Sequence, residues 1–181
     1  MRFLADKGIL TYKSYSLDIK DFTDEGTFCG YGAVFDNVDD YDDVIVHGAF
    51  TKTIGMKKPV MLWQHSSDQP IGIYDVMKED EIGLWVEGRL LLDIPKAKEA
   101  HVLIKNRAIR GLSIGYIPVA WEWEQRDGKY IRKLKEIDLW EVSLVTFPAN
   151  SKALIDEVKN IQDVEEVRAA QKLLTILQGS R

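Results

Sequence analysis

Short segments that are apolar, or that loosely alternate apolar with polar residues, recur along the first 145 positions, and this pattern predicts a mainly β protein. Turn and charge signals divide this part of the chain into seven or eight strand-like segments. The segments are 9–18, 27–35, 60–65, 71–77, 84–92, 117–124, 129–134 and 137–145. Gly30 and Gly32 mark a bend or bulge in the second of them. So many short strands with two or three helices predict a closed or nearly closed β-barrel surrounded by helices.

Two helices are expected between the strands. A short helix over 51–56 ends before Lys57-Lys58-Pro59, and Ser66 to Pro70 is expected to form a turn. The second helix takes Asp93 as its cap, has Pro95 in its first turn and ends near Asn106.

The pattern changes after Asn150. Apolar residues then recur at three- and four-residue steps, which predicts an amphipathic helix or helix pair over 151–181. The sequence therefore predicts a β-barrel domain over 1–150 and a C-terminal helical segment over 151–181. That segment either packs on the barrel or mediates association with another molecule.

Composition excludes several classes of protein. Twenty-four basic and 29 acidic residues give a net charge of −5, which argues against broad nucleic-acid binding. The single cysteine, Cys29, excludes an internal disulfide framework and fits a reducing compartment. No apolar run is long enough to span a bilayer, and the first residues lack the core of a signal peptide. A soluble, cytoplasmic protein is expected.

No metal or cofactor is expected either. The acidic loop over 36–43 has Tyr41 and His47 where an EF-hand needs its glycine and its final glutamate, so a solvated loop is the better interpretation. The zinc-peptidase pattern H-E-x-x-H is absent from the sequence.

Ser113 is the first candidate for chemistry, because it lies between Gly111 and Gly115 in a G-x-S-x-G pattern. Paired glycines allow a tight backbone from which a hydroxyl projects beside amide donors, as a serine nucleophile requires. The pattern alone is weak evidence. The alternative is a bulged strand whose small residue faces the core.

A serine nucleophile needs a base, and all three histidines precede Ser113. They are His47, His65 and His101. This order excludes the α/β-hydrolase arrangement, in which histidine follows serine. Acidic residues between the histidines and the serine lack the local sequence of chymotrypsin-like enzymes. An acid after the serine remains, and Glu141 stands out because it interrupts an apolar strand. It is either a cross-strand partner on a wet face or an inward carboxylate that needs an imidazole N–H.

Several motifs together carry a family resemblance. Trp63-Gln64-His65, the segments 111–116 (GLSIGY) and 141–150 (EVSLVTFPAN), and Gly48-Ala49-Phe50 resemble the prohead maturation proteases of tailed phages. That family is related to the herpesvirus assemblins, which use one serine and two histidines on a β-barrel with surrounding helices. The resemblance covers about residues 25 to 155, with the motifs in the family's order, and implies a herpesvirus-protease-like fold.

The resemblance implies an endopeptidase that cleaves scaffold and capsid precursors inside the assembling procapsid in the host cytoplasm, and usually cleaves itself. Ser113 then matches the nucleophile and His65 the general base. Glu141 falls where the assemblins have their second histidine, and a carboxylate there could orient an imidazolium. Backbone amides of the turn 148–150 are expected to bind the oxyanion. The resemblance also implies self-association, for example as a dimer. It implies no cofactor.

Other interpretations stay open. A catalytically silent capsid-scaffold binding module would keep the barrel and act through its C-terminal helix, and a small-molecule esterase could use the same residues. Ser143 is a rival serine, although core packing is favoured because no glycine flanks it. His47 and His101 are expected to be structural or surface residues, and Cys29 a small buried side chain.

Overall fold

A single eight-stranded sheet dominates the computed structural model, which describes residues 11–16, 22–39 and 42–146. In chain order the elements are β1 (Thr11–Ser16), β2 (Thr27–Val34), β3 (Asp43–Ile45), α1 (Thr51–Met56), β4 (Val60–Trp63), β5 (Ser66–Glu79), β6 (Gly83–Leu90), α2 (Pro95–Lys105), β7 (Gly111–Arg126) and β8 (Lys129–Val145). The prediction of a mainly β protein is confirmed.

The order of strands across the sheet is β1-β7-β8-β4-β5-β6-β2, and β3 pairs with β8 outside this path. Most neighbours are antiparallel, but β3 and β4 run parallel to β8. The sheet curls into a half-barrel, which brings the edge strands β1 and β2 near each other. Within the described residues no ladder joins these two edges, so full closure of the barrel stays a prediction.

One hydrophobic core stabilises the curled sheet. In β7 it takes Leu112, Ile114 and Tyr116, each fully buried, while the alternate positions of the strand carry small or polar residues. Helix α2 buries Ala97 and Ile104 against the same core. Burying each large aliphatic side chain contributes about 1.5–3 kcal/mol relative to leaving it in water. The alternation in β7 therefore fixes which of its faces meets the core.

Both helices lie within one residue of the predicted ranges, but the predicted cap of α2 is wrong. Ile94, rather than Asp93, occupies the N-cap position, and no side chain caps the helix there. Pro95 does occupy the first turn, where its missing N–H costs nothing.

The turn predicted over 66–70 is also wrong. Trp63 pairs with Ser66 across the β4–β5 hairpin, so Gln64 and His65 form a two-residue turn and residues 66–70 already belong to β5. Downstream, the predicted hairpin at Asp127-Gly128 is confirmed. Its two arms are longer than expected, since β7 and β8 each continue without a break.

Some expectations fall outside the described residues. These are the helical segment over 151–181, and with it the division into two domains, and the turn at 148–150. Among the residues that the structure describes, no helix is long and apolar enough to cross a membrane.

Candidate active site

Strands β7 and β8 bring the polar candidates together on one face of the sheet. Ser113 pairs with Ser143, and Gly115 pairs with Glu141. Directly paired residues of an antiparallel ladder share a face, and so do residues two apart in one strand. The four residues therefore lie on one face, opposite the face that carries Leu112 into the core.

The parallel pairing of β4 with β8 delivers His65 to this face. Strand β4 ends with Trp63 opposite Leu144, and the turn that follows places the His65 ring beside Glu141. His65 Nδ1 lies 2.6 Å from Glu141 Oε1, although the two residues are 76 positions apart. The Glu141 side chain is only 5% exposed and the His65 side chain 23%. An Nδ1–H that donates to a buried carboxylate leaves Nε2 as the nitrogen that can accept a proton.

The backbone at His65 is held in an unusual conformation. Gln64 has φ 51° and His65 φ 61°, the sign pattern of a type I′ turn, which normally selects asparagine and glycine. The turn is held by the Gln64 N–H, which donates to the Leu144 carbonyl at 3.0 Å, and by the Gln64 side-chain amide, which donates to Thr146 Oγ1 at 2.7 Å. Strained backbone of this kind persists where its surroundings fix it, and it concentrates at functional sites.

Ser143 connects the turn to the carboxylate. Its hydroxyl donates to Glu141 Oε2 at 2.5 Å and accepts the backbone N–H of His65 at 3.1 Å. Ser143 is fully buried, as expected from the sequence-based interpretation that it packs in the core, but its oxygen is hydrogen-bonded within the site. Both oxygens of the Glu141 carboxylate thus accept a hydrogen bond, which offsets the cost of burying its charge.

Ser113 is fully buried, and its hydroxyl has no hydrogen-bond partner among the described residues. A buried hydroxyl without a partner costs about 1–3 kcal/mol, so its retention calls for an explanation. Its setting differs from the tight turn that the flanking glycines suggested. Gly111 and Gly115 are both paired residues of the β7–β8 ladder, opposite Val145 and Glu141, and the register of this ladder shifts directly after Gly115.

Gly115 has a steric role instead. A Cβ at this position would contact Glu141 Oε1 and lie 2.9 Å from both Cγ and Cδ of the same side chain. Only glycine therefore lets the Glu141 side chain lie across β7 towards His65.

An aromatic ring covers the histidine from the neighbouring edge strand. Tyr12 of β1 pairs with Gly115, and its ring centroid lies 4.2 Å from that of His65 at an interplanar angle of 56°. Sequence reasoning missed Tyr12, the steric role of Gly115 and the hydrogen bonds of Ser143. The pairing of a glycine with a buried carboxylate is a usable signal, but only after the strand register is known.

The other histidines lie apart from this cluster, as the sequence predicted. His47 is exposed and packs on Phe35, with ring centroids 5.3 Å apart. His101 contacts the Asp24 carbonyl at 3.0 Å through Nε2 and packs against Phe22. Cys29 is partly exposed rather than buried, which corrects the sequence-based expectation.

The acidic loop holds a structural ion pair at its end. Asp43 accepts two hydrogen bonds from Arg132, at 2.8 and 2.7 Å, and both side chains are largely buried. Over residues 11–16, 22–39 and 42–146, no group of three histidine, cysteine or acidic side chains is placed to hold a metal ion.

Tyr74 lies in the core next to the site. Its hydroxyl donates to the Val142 carbonyl at 3.1 Å. Burial raises the pKa of this hydroxyl well above its usual value of 10.0, and the negative charge of Glu141 raises it further. Tyr74 therefore stays neutral beside the carboxylate.

Comparison with known proteins identifies the family of this site. The family model described as caudovirus prohead serine protease matches residues 13–168. The chain belongs to this family. The resemblance inferred from the sequence motifs is thereby confirmed.

Individual relatives agree with this assignment. The prohead protease of Enterobacteria phage HK97 is 30% identical over 154 residues, which are 83% of this chain and 68% of that protein. The prohead protease of Escherichia phage T5 is 30% identical over 59% of this chain and 49% of its own length. A capsid polyprotein of Pseudomonas phage PAJU2 is 34% identical over 88% of this chain, which corresponds to 24% of that protein.

The fold also matches that of a solved phage protein. The bacteriophage T4 capsid assembly protease superposes with a TM-score of 0.58 at 14% identity, covering 77% of this chain and 98% of that one. At this identity the match shows a shared fold. The match agrees with the half-barrel sheet described above.

Proposed function

We propose that this protein is a serine endopeptidase of procapsid maturation in which Ser113 is the nucleophile, His65 the general base and Glu141 the residue that orients His65. The observation that carries the proposal is the pair formed by His65 Nδ1 and Glu141 Oε1. It lies on the sheet face that also carries the Ser113 hydroxyl, which has no hydrogen-bond partner among the described residues. The family supplies the reaction class, because its members are serine proteases by description.

The proposed reaction uses Nε2 of His65, the ring nitrogen that does not face Glu141. Ser113 Oγ attacks the scissile carbonyl carbon while His65 Nε2 takes the hydroxyl proton, and Glu141 stabilises the imidazolium that forms. The imidazolium then gives this proton to the leaving amine, and the peptide bond breaks. Water attacks the acyl-enzyme with His65 again as base, which releases the new carboxyl end and restores Ser113. Amides of the turn 148–150 remain the predicted donors to the oxyanion.

Ser113 is preferred to Ser143 because of their hydrogen bonds. The Ser143 proton is directed at Glu141, and its oxygen already accepts the His65 N–H. Attack by Ser143 would break both contacts. Ser113 has no such contact to lose among the described residues.

The proposed substrates are capsid or scaffold precursors, and the chain itself. The names of two relatives support this, because one is a prohead protease and the other a capsid polyprotein. The proposed place of action is the assembling procapsid in the host cytoplasm. We propose no cofactor, and we propose that the protein self-associates.

One observation favours the alternative function, a catalytically silent scaffold-binding module. Ser113 is 0% exposed, so a substrate could reach it only after the covering groups move. A catalytically silent scaffold-binding module would tolerate such burial. An esterase acting on small molecules would require the same exposure of Ser113 as the protease.

The deciding experiment is co-expression with the capsid precursor of the same phage, comparing wild type with Ser113→Ala and Ser143→Ala by intact mass. Loss of a serine nucleophile lowers the rate by roughly four to six orders of magnitude, so trimming by wild type and none by Ser113→Ala is expected. Equal trimming by wild type and Ser113→Ala would contradict the assignment of Ser113. Absence of trimming by a folded wild type bound to the shell would support the silent module.

A further inference from the structure

Ser143 makes contacts that a packing residue does not need. Its hydroxyl is the only described side-chain group that bonds both the Glu141 carboxylate and the backbone of His65. The donated bond fixes Oε2, which leaves Oε1 directed at the imidazole. The accepted bond fixes the backbone N–H at the residue where φ is 61°. One hydroxyl thus restrains both partners of the His65–Glu141 pair.

The position of Ser143 in the sheet explains how it does this. Ser143 lies two residues after Glu141 in β8. It is directly opposite Leu62 of β4, which precedes His65 by three residues. It also pairs with Ser113 in β7. The three segments that carry the proposed nucleophile, base and acid therefore meet at this residue.

We propose that Ser143 is a positioning residue of the proposed serine protease. Its hydroxyl holds the carboxylate and the His65 turn together and so fixes the orientation of the imidazole ring. The expected effect of Ser143 on the reaction rate rests on the proposed function. Its ordering of the His65–Glu141 pair can be measured without catalysis.

A purely structural role predicts a different outcome. If Ser143 only fills space and satisfies buried donors, its loss would lower stability and leave the chemistry of the folded fraction unchanged. If it positions the pair, the folded enzyme would react more slowly, because misplacement of a catalytic group by about 1 Å costs roughly 10²-fold. The test must therefore measure the rate per folded molecule.

The first measurement is the rate at which a fluorophosphonate probe acylates the full chain, with the labelled peptide located by mass spectrometry. We compare wild type with Ser143→Ala, which removes the hydroxyl, and Ser143→Thr, which keeps it. The expected result is labelling at Ser113 in all three, roughly 10²-fold slower in Ser143→Ala and within about 10-fold of wild type in Ser143→Thr. Ser113→Ala should not be labelled.

Thr53→Ala is the matched control. Thr53 is buried, its hydroxyl donates to the Ile137 carbonyl at 2.6 Å and accepts the Leu139 N–H at 3.4 Å, and it contacts none of the site residues through these bonds. Its loss removes the same kind of group from a buried position beside β8, the strand that carries Ser143. The labelling rate of the folded Thr53→Ala protein should equal that of wild type.

The second measurement is the low-field resonance of the His65 Nδ1 proton in the Ser113→Ala background, with and without Ser143→Ala. We expect the resonance to shift or to be lost through exchange when Ser143 is removed, and to persist in Thr53→Ala. An unchanged resonance, an unchanged labelling rate or a label found on Ser143 would each overturn the inference. A wild type that takes no label, combined with loss of the resonance in Ser143→Ala, would refute the proposed function and leave the positioning role standing.

Discussion

Burying the Glu141 carboxylate is tolerable because both of its oxygens receive a donor. Oε1 faces His65 Nδ1, and Oε2 accepts the Ser143 hydroxyl. Removing the donors one at a time would leave a buried charge partly unsatisfied, which costs more than the bond itself contributes. These two bonds fix the position of the carboxylate. The site therefore requires that β7 leave space for the Glu141 side chain.

That requirement leads to a prediction for Gly115→Ala. The new Cβ would lie 2.9 Å from Cγ and Cδ of Glu141 and in contact with Oε1, so the carboxylate has to move away from His65. We expect the rate of fluorophosphonate labelling at Ser113 to fall by roughly 10²-fold or more, because the imidazole loses its orienting partner. The labelling rate of the folded variant is the measurement.

Gly32→Ala provides the control for adding a methyl group to a strand. Gly32 lies in β2, and a Cβ there would meet Leu84, Val142 and Val86 side chains at 3.5–3.6 Å, an ordinary contact distance. Its labelling rate should match wild type. Wild-type reactivity in Gly115→Ala would show that Glu141 does not need this position.

The residues of the site could be predicted individually, but their contacts could not. Ser113 is visible by its flanking glycines, His65 by the end of an apolar strand and Glu141 as a charge within one. The two readings of Glu141, wet face or inward carboxylate, are separated only by the structure, which buries it against His65. The role of Gly115 depends on strand register, which no local pattern states.

At the scale of elements, the β4–β5 hairpin shows where local rules fail. Ser66 to Pro70 contains the residues that normally mark a turn, yet the chain turns at Gln64-His65, where both residues have positive φ. Gln and His are not favoured there, since they lack the conformational freedom of glycine. Conflicts of this kind are expected at functional positions, because the turn is needed to present His65.

The segment before α1 depends on a single carboxylate. Glu79 of β5 accepts hydrogen bonds from the Gly48 N–H at 3.1 Å, the Phe50 N–H at 2.7 Å and the Thr51 hydroxyl at 2.8 Å. Gly48 has φ +91°, which permits the bend that directs these donors to one point. The Gly48-Ala49-Phe50 motif is thus explained as an anchor for the start of α1.

We therefore predict that Glu79→Ala destabilises the fold. Phe50 is fully buried, so its N–H would lose its partner without gaining water, and the first turn of α1 would lose a favourable negative charge. The free energy of unfolding should fall by about 2–4 kcal/mol in urea denaturation. Thr51→Ala removes one of the three donors and should cost about 1 kcal/mol. Equal stability of Glu79→Ala and wild type would contradict the anchor.

At the scale of the whole molecule, the site exists only when distant parts of the sheet have paired. Strand β8 is the common neighbour of β3, β4 and β7, and the parallel β4–β8 pairing brings His65 to Glu141. The sequence predicts the mainly β class and most of the strands, without β3 and the first part of β7, but not this order. Non-local pairing depends on which apolar faces fit together in three dimensions, which alternation within one segment does not encode.

The coupling between core and site gives a prediction for alkaline pH. Tyr74 is 3% exposed, and its raised pKa means that it ionises in the unfolded chain before it does so in the folded protein. Its contribution to stability is complete below the unfolded pKa of about 10 and is lost as pH rises towards the folded pKa. In that window the free energy of unfolding should fall by about 1.4 kcal/mol per pH unit because of this one group.

Tyr74→Phe isolates the effect, because phenylalanine cannot ionise. The variant should lose about 1 kcal/mol at neutral pH with the hydrogen bond to the Val142 carbonyl, yet its stability should decline less steeply above pH 10 than that of wild type. Tyr130 is 66% exposed, so Tyr130→Phe should keep the wild-type slope. Urea denaturation of the three proteins between pH 9 and pH 11 provides the comparison. Identical slopes for wild type and Tyr74→Phe would mean that the Tyr74 hydroxyl reaches water at high pH, and that the core beside Glu141 opens before the molecule unfolds.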